Sequence, residues 1–232
     1  MPRIEPFERY TFRYENWFEE NKLIYESELR ALQANIPPHT RGLEIGVGSG
    51  RFAVPLDIRF GIDPSPKMTH IARRRGMQVL YGVAEKLPFA DSSFDLVLMV
   101  TTICFLDNVE YAFKEVLRIL TPGGCFIIGF IDKNSTLGRE YQEKKKENVF
   151  YKLATFYSAE EIVSLLKDSG FDDFSFTQTI FKNLKDIKDL EPVIPGHGKG
   201  SFVVIRAERY QDQDQQKTKN KTTGSTGRCS LR

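Results

Sequence analysis

Glu44, Gly46, Gly48, Gly50 and Asp63 are the residues of this 232-residue chain whose types and spacing point most directly to chemistry. Leu43-Glu44-Ile45 reads as the end of a buried strand, and Gly46, Gly48 and Gly50 then turn the chain tightly into a helix start. Glycines at such a turn admit positive φ and let a ligand approach main-chain N–H groups without meeting a Cβ. A glycine-rich turn between strand and helix is a nucleotide-type site. Phe60-Gly61-Ile62-Asp63 reads as a second short strand ending in an acid, suited to gripping the two hydroxyls of a ribose.

Two cofactor classes combine a glycine turn with such an acid. The dinucleotide fingerprint wants a third glycine for close helix–strand packing, where this chain has Arg51. Glu44 would repel a pyrophosphate and attract an ammonium. S-adenosyl-L-methionine carries a ribose, no phosphate, a sulfonium and an ammonium, so the residues favour it over a nicotinamide dinucleotide.

Leu43-Glu44-Ile45-Gly46-Val47-Gly48-Ser49-Gly50 resembles the first motif of class I S-adenosylmethionine-dependent methyltransferases, and Gly61-Ile62-Asp63-Pro64-Ser65-Pro66-Lys67-Met68 resembles the second. Ala84-Glu85-Lys86-Leu87-Pro88-Phe89, Ser93-Phe94-Asp95-Leu96-Val97 and Leu117-Arg118-Ile119-Leu120-Thr121-Pro122-Gly123-Gly124 resemble those that follow, in the same order. The flavour is that of small-molecule enzymes similar to the ubiquinone/menaquinone C-methyltransferases. Trp17-Phe18-Glu19-Glu20-Asn21 and Gly196-His197-Gly198-Lys199-Gly200-Ser201-Phe202 are similar to flanks of uncharacterised members of that group.

The resemblance implies an α/β fold: a three-layer Rossmann-like sandwich around a mostly parallel seven-stranded sheet, the last strand antiparallel. It implies that Pro64 follows the ribose acid, that Ala84 and Glu85 lie in the adenine loop, and that the Thr101 loop faces both methionine and acceptor. Related enzymes often place an aspartate where Val83 stands, and many place a histidine where this chain has Cys104 and Phe105.

A chain of this length makes one α/β domain with additions, and its 41% hydrophobic content is that of a globular protein. The net charge of +2 and the absence of a basic stripe with interleaved aromatics argue against nucleic acid. The longest apolar runs are strand-sized, so no membrane span is expected. Cys104, Cys125 and Cys229 show no paired spacing and no metal-ligand pattern, which reads as reduced and cytoplasmic. The oligomeric state is left open.

The elements that must hold these residues follow from periodicity. Residues 1–38 read as an N-terminal cover of amphipathic helices whose Tyr14 and Trp17 also roof the pocket. Residues 39–208 read as the methyltransferase domain. Pro55 sits inside a short stretch after the glycine turn, which predicts one or two helical turns there. Ser65 and Pro66 start a helix, residues 94–100 form a central strand, and residues 108–120 form a helix that Pro122-Gly123-Gly124 ends. Residues 132–157 read as an insertion with Phe150-Tyr151 and Phe156-Tyr157 as a potential lid. Ser158 and Glu161 read as a capping box. Residues 209–232 are nearly free of apolar side chains and are expected to be a tail without order.

Methyl transfer from a sulfonium is an in-line displacement on an activated donor, so the protein mainly orients the partners and excludes water. No metal or nucleophilic triad is needed. A base is required only if the acceptor must lose a proton, with Tyr14, Asp132, Tyr157 and His197 as candidates. The expected function is S-adenosylmethionine-dependent methyl transfer to a small molecule. A nicotinamide oxidoreductase and a non-catalytic S-adenosylmethionine-binding module are the alternatives.

Overall fold

A computed structural model describes residues 3–210. The polar tail from residue 211 on, with Cys229, lies outside the described residues. The N-terminal cover comprises α1 (Glu5–Arg9), α2 (Thr11–Glu20) and α3 (Lys22–Gln33). The body follows as β1 (Gly42–Ile45), β2 (Phe60–Asp63), α4 (Pro66–Arg74), β3 (Gln78–Tyr81), β4 (Phe94–Val100), α5 (Val109–Ile119) and β5 (Leu120–Ile131). The C-terminal part adds α6 (Thr136–Glu143), α7 (Ala159–Asp168), β6 (Phe171–Thr179), β7 (Ile194–Pro195) and β8 (Phe202–Arg209).

One eight-stranded sheet runs β3-β2-β1-β4-β5-β8-β6-β7. The pairs among β3, β2, β1, β4 and β5 are parallel, whereas β8 is antiparallel to both β5 and β6. The strand beyond the seven expected is β7, two residues of the 183–200 loop that pair with Thr177 and Gln178 of β6.

The continuous apolar runs of β4 and β5 divide their side chains between two layers, as strands buried on both faces must. Val97, Met99, Phe126 and Ile128 pack with Phe113 of α5 and Ile162 of α7. Leu96, Leu98, Val100 and Ile127 pack with Leu32 of α3 and Ala72 of α4. This is the three-layer arrangement expected.

Local signals act as their chemistry predicts. The Ser65 side chain accepts from the Met68 N–H at 3.1 Å with Pro66 at the first helical position. Ser158 and Glu161 close a reciprocal capping box at the start of α7. Two expectations are refined. After the glycine turn the one or two helical turns expected are a single turn, of 3-10 type, Val54–Leu56, because Pro55 lacks a donor and Asp57 takes a left-handed φ of 54°. The N-terminal cover fills the space instead: the Tyr25 hydroxyl donates to the Arg51 carbonyl at 2.6 Å, and its ring lies 5.4 Å from Phe52. The second concerns Pro122-Gly123-Gly124, which does not separate α5 from the next strand. Leu120 already pairs with Phe94, and the register shifts before Leu96 meets Cys125, so the proline and glycines form an irregularity inside β5.

Candidate cofactor and acceptor site

The carboxyl ends of β1, β2 and β4 open into a cavity of about 540 Å³, where parallel sheets of this kind bind ligands. Tyr14, Gly46, Gly48, Asp63, Pro64, Ala84, Glu85 and Thr101 all line it. Thr101 takes a left-handed φ of 50° at the end of β4 and donates its N–H to Gly129 at 2.7 Å. Such a conformation in a non-glycine residue persists where the surroundings over-determine it.

The turn requires glycine at two positions. Gly46 has φ +68°, donates its N–H to the Ile62 carbonyl at 2.8 Å, and leaves only 2.3 Å between the site of a Cβ and the Thr102 side chain. Gly48 has φ +54°, and the Tyr14 hydroxyl lies 3.2 Å from where a Cβ would stand. The Gly48 N–H donates to Asp63 Oδ2 at 2.8 Å, and the Ser65 N–H donates to Asp63 Oδ1 at 2.8 Å. These bonds aim the carboxylate while leaving further acceptor capacity on each oxygen. Burial pushes the Asp63 carboxyl up to about 6, with the two N–H donors opposing and Glu8 adding repulsion.

Glu44 and Gly50 sit elsewhere. Both lie outside the cavity lining, behind the turn. Glu44 is 2% exposed, is bonded to the Ala53 backbone, and keeps Oε2 without a partner; burial drives its carboxyl well above the usual range. Gly50, at φ +83°, faces the Met77 sulfur. Glu44 therefore packs behind the turn without facing the cavity, and Gly50 shapes the turn. Glu85 lines the cavity, but its Oε1 accepts from the Asp107 and Asn108 N–H groups at 2.9 and 3.2 Å, which ties the adenine-side loop to the start of α5.

The cover closes the cavity from above. Glu15 of α2 binds Arg51 at 3.0 Å and Arg75 at 2.5 Å, and Arg75 also donates to the Ser49 carbonyl at 2.6 Å. This pins the helix that carries Tyr14 onto the glycine turn. Phe7 of α1 meets Tyr14, Phe105 and Phe150 with ring centres 5.7, 5.2 and 5.6 Å away. Phe150 and Tyr151 of the insertion thus share a seam with the N-terminal helices, and both line the cavity.

The base candidates fare differently. Both Asp132 oxygens accept backbone N–H groups, from Asn134 at 2.7 Å and Ala159 at 3.0 Å, which joins the insertion to α7. His197 lies 3.6 Å from Glu160 and against the Phe176 ring. Neither residue, nor Tyr157, lines the cavity. Tyr14 does, but burial and then the charges of Glu44 and Asp63 hold its hydroxyl protonated, which leaves it able to donate and unsuited to act as a base. Cys104 is buried, bonded to the Thr101 carbonyl at 3.3 Å, and pushed by burial up to about 12, which makes it an inert thiol.

Sequence reasoning missed Glu28. It stands in the apolar stripe of α3 with Ile24, Ala31 and Leu32, is 5% exposed, and lines the cavity. The available signal was a carboxylate at a helical spacing of three and four from buried residues.

Positive-φ glycines that a Cβ would crowd, a buried carboxylate at the strand tip and a phenol above the turn fit a nucleoside with a tail lying close along the backbone. A methyltransferase-domain family model matches residues 43–128. The chain belongs to the S-adenosylmethionine-dependent methyltransferases, and S-adenosylmethionine is its cofactor. A solved Thermotoga maritima structure, a SAM-dependent methyltransferase described as a possible histamine N-methyltransferase, is similar at 51% identity and TM-score 0.86, covering 88% of this chain and 98% of that one. An uncharacterized protein of Methanocaldococcus jannaschii is 46% identical over 88% of this chain and 98% of its own length. A demethylmenaquinone methyltransferase of Chlorobaculum parvum is 30% identical over 60% of this chain and 69% of its own length.

Proposed function

We propose that this methyltransferase acts on a small-molecule acceptor held in the cavity between the cofactor and the aromatic seam. The observation that carries this reading is the shape of the space: the glycine turn and Asp63 occupy one side, while Phe105, Phe150 and Tyr151 wall the other under the N-terminal helices. A polymer would need an open groove, and a net charge of +2 offers no strong pull on nucleic acid. Among the described residues no helix is long and apolar enough to cross a membrane. The free, buried Cys104 and Cys125 fit a reducing compartment such as the cytoplasm.

The division of labour follows from the residues. Asp63 accepts the ribose hydroxyls, and the Gly46–Gly48 backbone lets the amino-acid tail lie close. Tyr14 donates from above, Pro64 and Ala84 bound the adenine side with the Glu85-held loop, and Thr101 abuts the methionine. S-adenosylmethionine supplies an electrophilic methyl group; the chain orients it and excludes water.

The Thermotoga relative's description makes amines the first acceptors to assay. Incubation with S-adenosylmethionine and a panel of small amines, phenols and quinols is expected to yield S-adenosylhomocysteine together with one methylated acceptor. Tight binding of the donor with no turnover across a broad metabolite extract would overturn the catalytic reading in favour of a binding module.

A further inference from the structure

The cavity lining carries a buried carboxylate that the cofactor site does not use. Glu28 of α3 is 5% exposed, and burial alone shifts its carboxyl: among the described residues neither a hydrogen bond nor a nearby cation offsets the cost. An uncompensated buried carboxylate is expensive unless a ligand supplies the missing partner. Its surroundings are aromatic. Tyr141 of α6 and Tyr151 of the 3-10 turn Tyr151–Leu153 stack at 4.8 Å, and the charge of Glu28 is felt at both hydroxyls. Phe105 lies parallel to Tyr151 at 6.4 Å. Aromatic faces around an anion make a site for an organic cation.

We propose that the acceptor is a small amine, cationic in water, whose ammonium seats against Glu28 beside the stacked pair of Tyr141 and Tyr151; for transfer its nitrogen yields one proton to the Glu28 carboxylate, and the freed lone pair takes the methyl group as the carbon–sulfur bond breaks, leaving S-adenosylhomocysteine and the methylated amine. The proposal rests on the small-molecule reading above. Five other charged side chains on this cavity are accounted for. Arg3 donates to the carbonyls of Leu153 and Cys104 and pairs with Asp107 at 4.0 Å, Arg13 is exposed beside the Phe150 ring, Glu20 is exposed, and Glu85 is tied to the loop before α5. Asp63 lies against the glycine turn, so the two buried carboxylates of the lining take different tasks: Asp63 the cofactor, Glu28 the acceptor.

Burial pushes the Glu28 carboxyl up to about 8 from 4.5, so near neutrality the ligand-free protein holds it largely protonated. Binding an ammonium expels that proton. Amine affinity therefore rises as pH climbs through about 8 and falls once the amine itself loses its charge. In the ligand-free protein a folded pKa above the unfolded value makes stability fall as pH rises from about 4.5 to 8. Glu28→Gln, which keeps shape and hydrogen-bonding capacity, removes that slope and serves as its own check on folding.

The test uses the full chain loaded with S-adenosylhomocysteine. Phenethylamine, histamine and agmatine are each titrated by calorimetry against a neutral counterpart in which a hydroxyl replaces the amine. At least one amine is expected to bind tenfold or more tighter than its counterpart, and Glu28→Gln is expected to erase the preference while leaving S-adenosylhomocysteine affinity unchanged. No preference for any amine, or a preference that survives Glu28→Gln, would overturn the proposal. So would weaker S-adenosylhomocysteine binding in the variant, which would assign Glu28 to the cofactor. Failure of the wild-type protein to bind S-adenosylhomocysteine at all would instead strike at the cofactor site, not at the acceptor.

Discussion

Asp63→Ala is expected to weaken S-adenosylhomocysteine binding by roughly 100-fold, about 3 kcal/mol, measured by calorimetry at pH 7.5. The two ribose hydroxyls would donate to a single buried carboxylate, and charge-assisted bidentate contacts of this kind are the strong ones. The Gly48 and Ser65 N–H groups hold that carboxylate in place at 2.8 Å each. Alanine also leaves those donors without a partner, so part of the loss comes from a turn that is no longer fixed; Asp63→Asn, which keeps one acceptor, is expected to fall between. The pH dependence carries the same signature. With the carboxyl pushed up to about 6 by burial, the wild-type protein loses affinity as pH falls below that value and holds it constant above. The sign of the stability effect is opposite: the folded pKa exceeds the unfolded 3.8, so charging Asp63 lowers the stability of the ligand-free protein as pH rises through this window. Bound cofactor reverses that cost. A flat affinity profile from pH 5 to 8 would mean that Asp63 does not carry the ribose.

Gly46→Ala is expected to cost about 2–5 kcal/mol of stability and to abolish retention of the cofactor. A left-handed conformation costs a non-glycine residue about 1–2 kcal/mol. A Cβ 2.3 Å from Thr102 forces a shift of a packed side chain, with an overpacking cost of about 1–3 kcal/mol. Thr102 cannot yield cheaply, since its hydroxyl donates to the Val100 carbonyl at 3.0 Å and it follows the strained Thr101. The melting temperature should drop by roughly 5–15 °C. Gly76→Ala separates the two costs, because Gly76 has φ +91° with nothing within 4 Å of its would-be Cβ. It should lose only the conformational part and bind the cofactor normally. Equal behaviour of the two variants would remove the steric argument for the turn.

Much of this site is legible in the residue order because it is built from local signals. Gly46 and Gly48 announce their own backbone angles, Asp63 ends a short strand, and Ser65-Pro66 caps a helix, so each element places its functional group within a few residues. The helices and strands of the body follow from periodicity for the same reason. What was not legible depends on which side of an element faces what. Glu44 reads as a ligand-facing acid, yet a side chain at that strand position points behind the turn, into the core with Ala53. Asp132 reads as a candidate base, yet its two oxygens are spent on the backbone of Asn134 and Ala159, a contact 27 residues away in the chain that no spacing reveals. Glu28 reads as an ordinary helical charge until α6 and the insertion fold across it. The extra strand β7 likewise exists only because the 183–200 loop returns to the edge of β6.

A crystal structure of the full chain with S-adenosylhomocysteine bound tests the assignment of the site most directly. The ribose hydroxyls are predicted to lie within hydrogen-bond distance of the Asp63 carboxylate, with the homocysteine tail across Gly46 and Gly48 beneath the Tyr14 hydroxyl and its sulfur facing the chamber of Tyr141 and Tyr151. A ribose lying away from Asp63, or a ligand that leaves the glycine turn uncovered, would contradict it.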